Sequence, residues 1–183
     1  LFPTSGRGHM AWDWLDTYHS FSFGHFYNPE LMGFGVLRVV NDDTIAAGQG
    51  FSEHPHHDME IVTIVLSGAL AHSDNAGGQG VVHAGDVQTM SAGIGVIHSE
   101  MNASQHTPVS LFQIWIETAV PGARPRYEQK TFDPKVRTGT WQLVVSDDGR
   151  DGSLSIHQHA FISLGRYTAG STFRYAIRKA GNV

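Results

Sequence analysis

Along the 183-residue chain, apolar and polar positions alternate in short runs rather than at helical spacing. Phe34–Val40 reads as a strand, and Asn41-Asp42-Asp43 as the turn that ends it. MEIVTIVL, 59–66, is an apolar, β-branched run closed by Gly68. Further strands are expected at 87–90, 96–102 and 111–117. Between them lie turn-forming clusters: NAGGQG at 75–80, AGD at 84–86 and SAGIG at 91–95. Strands that recur about every 8–12 residues indicate a β-barrel or sandwich.

Three units are expected. The first, 1–120, opens with an aromatic arm over 9–35 that includes Trp12, Trp14, Tyr18, Phe21, Phe23, Phe26, Tyr27 and Phe34. This arm is read as a cap on the barrel, or as one wall of an aromatic-binding pocket. Residues 121–139 are expected to connect, because the Pro, Gly and charge content of VPGARPRYEQKTF, 120–132, disfavours a central strand. Strand character resumes at Trp141–Ser146, and a second β unit is expected over 140–183, stopping unfinished.

Composition sharpens this picture. Twenty-one glycines support a turn-rich β protein. The formal net charge is −5, with no block of like charge, which argues against direct nucleic-acid binding. The absence of cysteine rules out disulfides and thiolate metal ligands. No apolar stretch has membrane-spanning length, so no membrane association and a cytoplasmic location are expected. The chain starts at Leu1 rather than Met, so a few preceding residues are expected.

The chemistry concentrates in two triplets, His54-Pro55-His56 and His98-Ser99-Glu100. Side chains two apart on a strand share a face, so each triplet offers two ligands to one side. Two such strands side by side would bring three imidazoles and a carboxylate to one point. That set suits one divalent transition ion per chain with open positions left on it. Iron is the expected ion, with Mn, Co, Ni, Cu and Zn as alternatives. Glu60 would share a face with His54 and His56 on a straight strand, so it competes with Glu100, which ranks ahead. His57 is expected on the opposite face, exposed or behind the ligands. Gln88 and Gln113 can point inward and hydrogen-bond a ligand. His72, Asp74 and His83 flank a turn cluster and are read as surface residues. His157-Gln158-His159 repeats the ligand spacing, but no second pair follows it.

These motifs resemble the pirin family. HPHHDMEIVTIVLSG, GDVQTMSAGIGVIHSE, FSFGHFYNP and MGFGVLRVVNDD carry the likeness, and LFQIWI, PRYEQKTFD and DGSLSIHQ resemble its bacterial, quercetin 2,3-dioxygenase-like branch. The resemblance runs from about residue 8 to the end. It implies an all-β, cupin-type β-barrel fold with two barrels (a bicupin), the metal in the first and the second metal-free. It also implies several tens of residues beyond Val183, so that the second barrel is incomplete here. The family's ligands map onto His54, His56, His98 and Glu100, and its usually basic position after the first triplet is His57.

The activity so implied is metal-dependent opening of a flavonol by O2 with release of carbon monoxide. Glu100 would take the 3-hydroxyl proton, and Phe21, Phe23 and Phe26 would help exclude water. Another aromatic or enolic substrate is a variant of this reading. The alternative is a metal-binding regulatory protein that acts through a protein partner.

Overall fold

The structure, a computed structural model, describes residues 3–176. The second β unit expected over 140–183 therefore has its last part, 177–183, outside the described residues. The described residues hold fourteen strands and only two short 3-10 turns. No helix among them is long and apolar enough to cross a membrane.

The aromatic arm forms β1 (Gly8–Ala11) and β2 (Leu15–His19). Next come β3 (Leu37–Ile45), β4 (Gly50–His56), β5 (Met59–Ser67) and β6 (Ala69–Asp74). β7 (Gln79–His83), β8 (Asp86–Ser91), β9 (Val96–Asn102), β10 (Val109–Glu117) and β11 (Arg126–Thr131) complete the first part. β12 (Trp141–Ser146), β13 (Leu154–Ser155) and β14 (Ile162–Gly165) follow.

Seven strands make one sheet in the order β1-β2-β3-β10-β5-β8-β11, and four make another, β4-β9-β6-β7. The expected all-β architecture is present. Hydrogen bonding does not pass from one sheet to the other, so the barrel is flattened into a two-sheet sandwich. The strands β12–β14 form a third sheet, order β13-β12-β14.

The large sheet is buried on both faces. Ile61 and Val65 of β5 face the four-stranded sheet, where Val65 packs with Leu70, Val82 and Leu111. Val62 and Ile64, on the other face, pack with Val144, Val145 and Leu154 of the third sheet and with Ile156 just after β13. This explains why 59–66 reads as an unbroken apolar run rather than an alternating one.

Two expectations change. Asn41-Asp42-Asp43 is not a turn but the middle of β3, where Val39, Asn41, Asp43 and Ile45 alternate inward. The polar residues are tolerated there because other polar groups, Thr17 and Gln113 among them, share the interior they face. The connector 121–139 contains β11, whose charged sequence suits its place at the edge of the large sheet.

The β4–β9 pairing positions the site. Gly50 opposes Met101, and Phe51 opposes Glu100; the register then shifts by one, so that His54 opposes His98. The bulge at 52–53 thus sets two histidines directly across from each other. Pro55 fits because β4 is an edge strand. A Cβ on Gly50 would stand 2.3 Å from the Glu100 carbonyl oxygen. We expect Gly50→Ala to force β4 off β9 and lower stability by about 1–3 kcal/mol in chemical denaturation, with metal retention falling in parallel.

Candidate metal centre

β9 alternates cleanly: Val96, His98, Glu100 and Asn102 are buried, and Ile97 and Met101 are exposed. His98 and Glu100 therefore both project into the sandwich, as period-2 spacing requires. From β4, His54 and His56 reach the same interior. The ligand atoms of His54, His56 and His98 all lie within 4.8 Å of one another. Those of His72, His98 and Glu100 form a second, overlapping group. His98 is the shared member, and Glu100 reaches the first group through it.

His54 Nδ1 lies 2.7 Å from the Ser52 carbonyl oxygen. Donation there leaves Nε2 as a lone pair facing His98 Nε2, 3.0 Å away. Two nitrogens bound cis to one ion at ~2.1 Å would stand about 3.0 Å apart, so the pair fits a shared cation. Burial pushes His98 down to about 2, helped by the neighbouring His54, His56 and His72. Burial and His54 push His56 down to about 4. Both rings are thus neutral near pH 7, the form that ligates.

Glu100 is held from the large sheet. Gln88 Nε2 donates to Oε1 at 2.7 Å, and Gln113 Nε2 donates to Oε2 at 2.7 Å. Thr63 Oγ1 bridges this network, donating to Gln113 Oε1 at 3.0 Å and accepting from Gln88 Nε2 at 3.0 Å. Burial lifts the Glu100 carboxyl to about 7, although hydrogen bonds from Gln88, Gln113 and Thr63 pull it down; the charge of Asp43 adds to the lift. A carboxyl so poised exchanges its proton near neutral pH.

A cleft of about 270 Å³ opens onto these groups and is lined by His54, His56, Glu100, Gln113, Phe23 and Trp115, among others. Phe23 meets Trp115 edge-on at 5.2 Å, and Trp115 meets His56 edge-on at 4.7 Å. Of the three arm phenylalanines expected to exclude water, only Phe23 lines this cleft. Phe26 instead covers Gly8, whose backbone lies against its ring.

The remaining expected residues fall as follows. Glu60 lies on the other face of β5 from Thr63. There it accepts a hydrogen bond from Ser91 at 2.6 Å and stands 3.7 Å from His157. β4 and β5 belong to different sheets, so the shared face expected for Glu60, His54 and His56 does not exist. His57 is exposed, beside Asp58 at 3.2 Å. His157 packs near Glu60, and His159 contacts Asp147 at 2.6 Å, so the third pair does not converge.

His72 corrects the surface reading: it is 2% exposed, directly opposes Glu100 across β6 and β9, and stacks on Tyr127 at 4.3 Å. Its Nε2 meets Asp74 at 2.9 Å. Only the strand register reveals this. Thr63, also unforeseen, is marked in the sequence as the one hydroxyl inside an apolar run.

Comparisons with known proteins agree with this architecture. The Pirin family profile matches residues 4–116, and one described as the quercetinase C-terminal cupin domain matches 143–183. A protein of Escherichia coli K12 called quercetin 2,3-dioxygenase is 53% identical over 158 residues, covering 86% of this chain and 67% of its own length. The crystal structure of YhhW from Escherichia coli superposes with a TM-score of 0.84 at 50% identity, covering 88% of this chain and 68% of that one. A structure of the bacterial pirin YhhW from Escherichia coli in complex with nickel(II) gives a TM-score of 0.80 at 51% identity, covering 85% of this chain and 66% of that one. The chain thus spans about two thirds of the length of these relatives.

Asp43, also lining the cleft, yields a pH test. Burial lifts its carboxyl from 3.8 to about 6, Thr17 donating a hydrogen bond that lowers it and Asp42 raising it further. The folded state therefore binds this proton more tightly than the unfolded chain. The stabilisation is complete below pH 4 and is lost as pH rises through about 6. Ionised Asp43 costs the native state roughly 3 kcal/mol, at 1.36 kcal/mol per pKa unit. Asp43→Asn keeps the acceptor for Thr17 and removes the charge. Thermal unfolding is expected to show the variant gaining stability relative to the parent between about pH 4 and pH 7, with little difference at the acid end.

Proposed function

The chain belongs to the pirin family, and from that premise we propose that it is a metal-dependent dioxygenase that opens the central ring of flavonols with O2 and releases carbon monoxide. The observation that carries this reading is the meeting of three imidazoles with a buried carboxyl beside an aromatic-walled cleft. The quercetin 2,3-dioxygenase name of the Escherichia coli relative supports the substrate class.

In this reading His54, His56, His98 and Glu100 hold one divalent ion. The nickel(II) complex of the related YhhW supports a divalent metal, and the same donors accept iron, the ion expected from the sequence. When bound, the ion supplies Lewis acidity that favours the anionic form of a substrate hydroxyl, and a position for O2 chemistry.

The chain's own groups do the rest. Glu100, the one carboxyl of the donor set, accepts the 3-hydroxyl proton. Gln88 and Gln113 each donate to one carboxylate oxygen and so fix its orientation. The Ser52 carbonyl fixes the tautomer of His54. Phe23 and Trp115 give flat apolar surface to a planar substrate and displace water. Glu60 and His57 take no part, the first facing the third sheet and the second facing solvent.

Quercetin added without oxygen to the metal-loaded protein should shift the flavonol absorption band. Admitting O2 should then bleach it with stoichiometric CO. Glu100→Gln is expected to slow turnover by about 10²–10⁴-fold, the usual worth of a general base, whereas Glu60→Gln should leave it near the parent rate. The ligand assignment fails if Glu60→Gln is the more damaging change. His98→Ala, which removes the histidine shared by both groups, should lose the ion by elemental analysis. No bleaching with Fe, Co, Ni, Cu or Mn would sink the dioxygenase reading and leave the regulatory one.

A further inference from the structure

A second cavity lies apart from the metal cleft and shares no lining residue with it. It is an open groove of about 650 Å³, bounded by the β6–β7 turn, the segment leading into β11 and the segment that follows β13. Three basic side chains line it, Arg124, Arg126 and His157, and no Asp or Glu does.

The sequence sets the two arginines side by side. Pro125 restricts the residue before it to extended backbone, and side chains two apart on extended backbone share a face. The segment is anchored at both ends. The Ala123 carbonyl accepts from the Ile94 amide at 2.9 Å, and Arg126, the first residue of β11, pairs in register with Ser91 of β8. Arg124 is exposed, and Arg126 spends one of its donors on the Ser155 carbonyl. Neither arginine has an ion-pair partner among the described residues, so both guanidinium groups keep donors for a ligand.

His157 is fixed from behind. Its carbonyl accepts from the Ala119 amide at 2.6 Å, and its buried Nδ1 stands 3.7 Å from Glu60 Oε1. Glu60 is itself buried, its other oxygen accepting from Ser91. Nε2 is therefore the atom that His157 offers to the groove. Gly77 and Gly78 add a stretch of wall without side chains. A Cβ on Gly78 would stand 2.1 Å from Asp74 Oδ2 and 2.7 Å from the Tyr127 Cβ, so close packing keeps that wall bare.

Two like charges held along one groove, with no carboxylate lining it, repel each other and are relieved by an anion. The guanidinium fork matches the paired oxygens of phosphate and carboxylate groups. The volume lies within the roughly 300–1,000 Å³ usual for small-molecule sites. We propose that this groove binds a small, doubly charged oxyanion, a phosphate monoester or a dicarboxylate, held by Arg124 and Arg126 with His157 Nε2 as the third contact. None of the metal donors lines it, so the inference stands independently of the dioxygenase reading.

The test is calorimetry on the full chain at fixed ionic strength. Phenyl phosphate and succinate are the dianions, and acetate is the singly charged control. Each is titrated into metal-loaded and metal-free protein. One dianion per chain should bind saturably, with the same affinity in both forms. Arg124→Gln, at an exposed position that folding does not need, should weaken it by about tenfold, the worth of a charge-assisted hydrogen bond. Arg124→Lys should restore part of the loss, because it returns the charge without the fork. His157→Gln should weaken binding by roughly threefold, with metal retention unchanged in all three variants.

Tighter binding of phenyl phosphate than of succinate assigns the site to a phosphate ester, and the reverse order to a dicarboxylate. The groove loses its proposed role if neither dianion saturates, if acetate binds as tightly, or if Arg124→Gln binds like the parent. Binding that vanishes with the metal would put the anion on the ion instead and equally overturn the site.

Discussion

The burial of Glu100 between two sheets is the placement on which the rest of the site depends. A carboxylate in such an interior is tolerated only where donors meet it. Here the donors come from the opposite sheet: two glutamine amides, one for each oxygen, with Thr63 between them. They stabilise the charge without cancelling its desolvation, which leaves the group near neutrality rather than fully ionised. His98 and His56 are neutral for the corresponding reason, since burial and the neighbouring histidines disfavour a positive charge on either. The site is therefore a set of lone pairs suited to a cation.

This arrangement needs a rigid sheet behind it. The large sheet supplies that by being covered on both faces, by the four-stranded sheet on one and by β12–β14 on the other. Gln88, Thr63 and Gln113 sit on three adjacent strands, β8, β5 and β10, so the strand register sets their mutual positions. The same register extends the row to Asn41 and His19. One ladder of backbone pairing thus carries both the support for Glu100 and two further polar residues that line the cleft.

The aromatic arm shows how a local feature acquires a role only in three dimensions. Its residues become β1, β2 and the loop that follows, added to the edge of the large sheet beside β3. Phe23 lines the cleft and continues the ring contacts from His56 through Trp115 to His19. Phe26, three residues on, covers Gly8 instead. Phe23 thus walls the cleft, whereas Phe26 packs on the arm itself.

The sequence by itself determined what depends on local period. Alternation set the inward faces of β9 and its neighbours. Glycine clusters marked the turns, and two-residue spacing put His54 with His56 and His98 with Glu100. Tertiary structure alone decided which strands lie side by side, because pairing between distant segments leaves no local trace. It brought His72 opposite Glu100, sent Glu60 to the far face of another sheet, and turned Asn41 and Asp43 from an expected loop into the interior of β3. Polarity misled there for a physical reason: the cleft these strands enclose carries polar groups of its own, Thr17, Gln113 and Glu100 among them, so the usual equation of polar with exposed does not hold beside them.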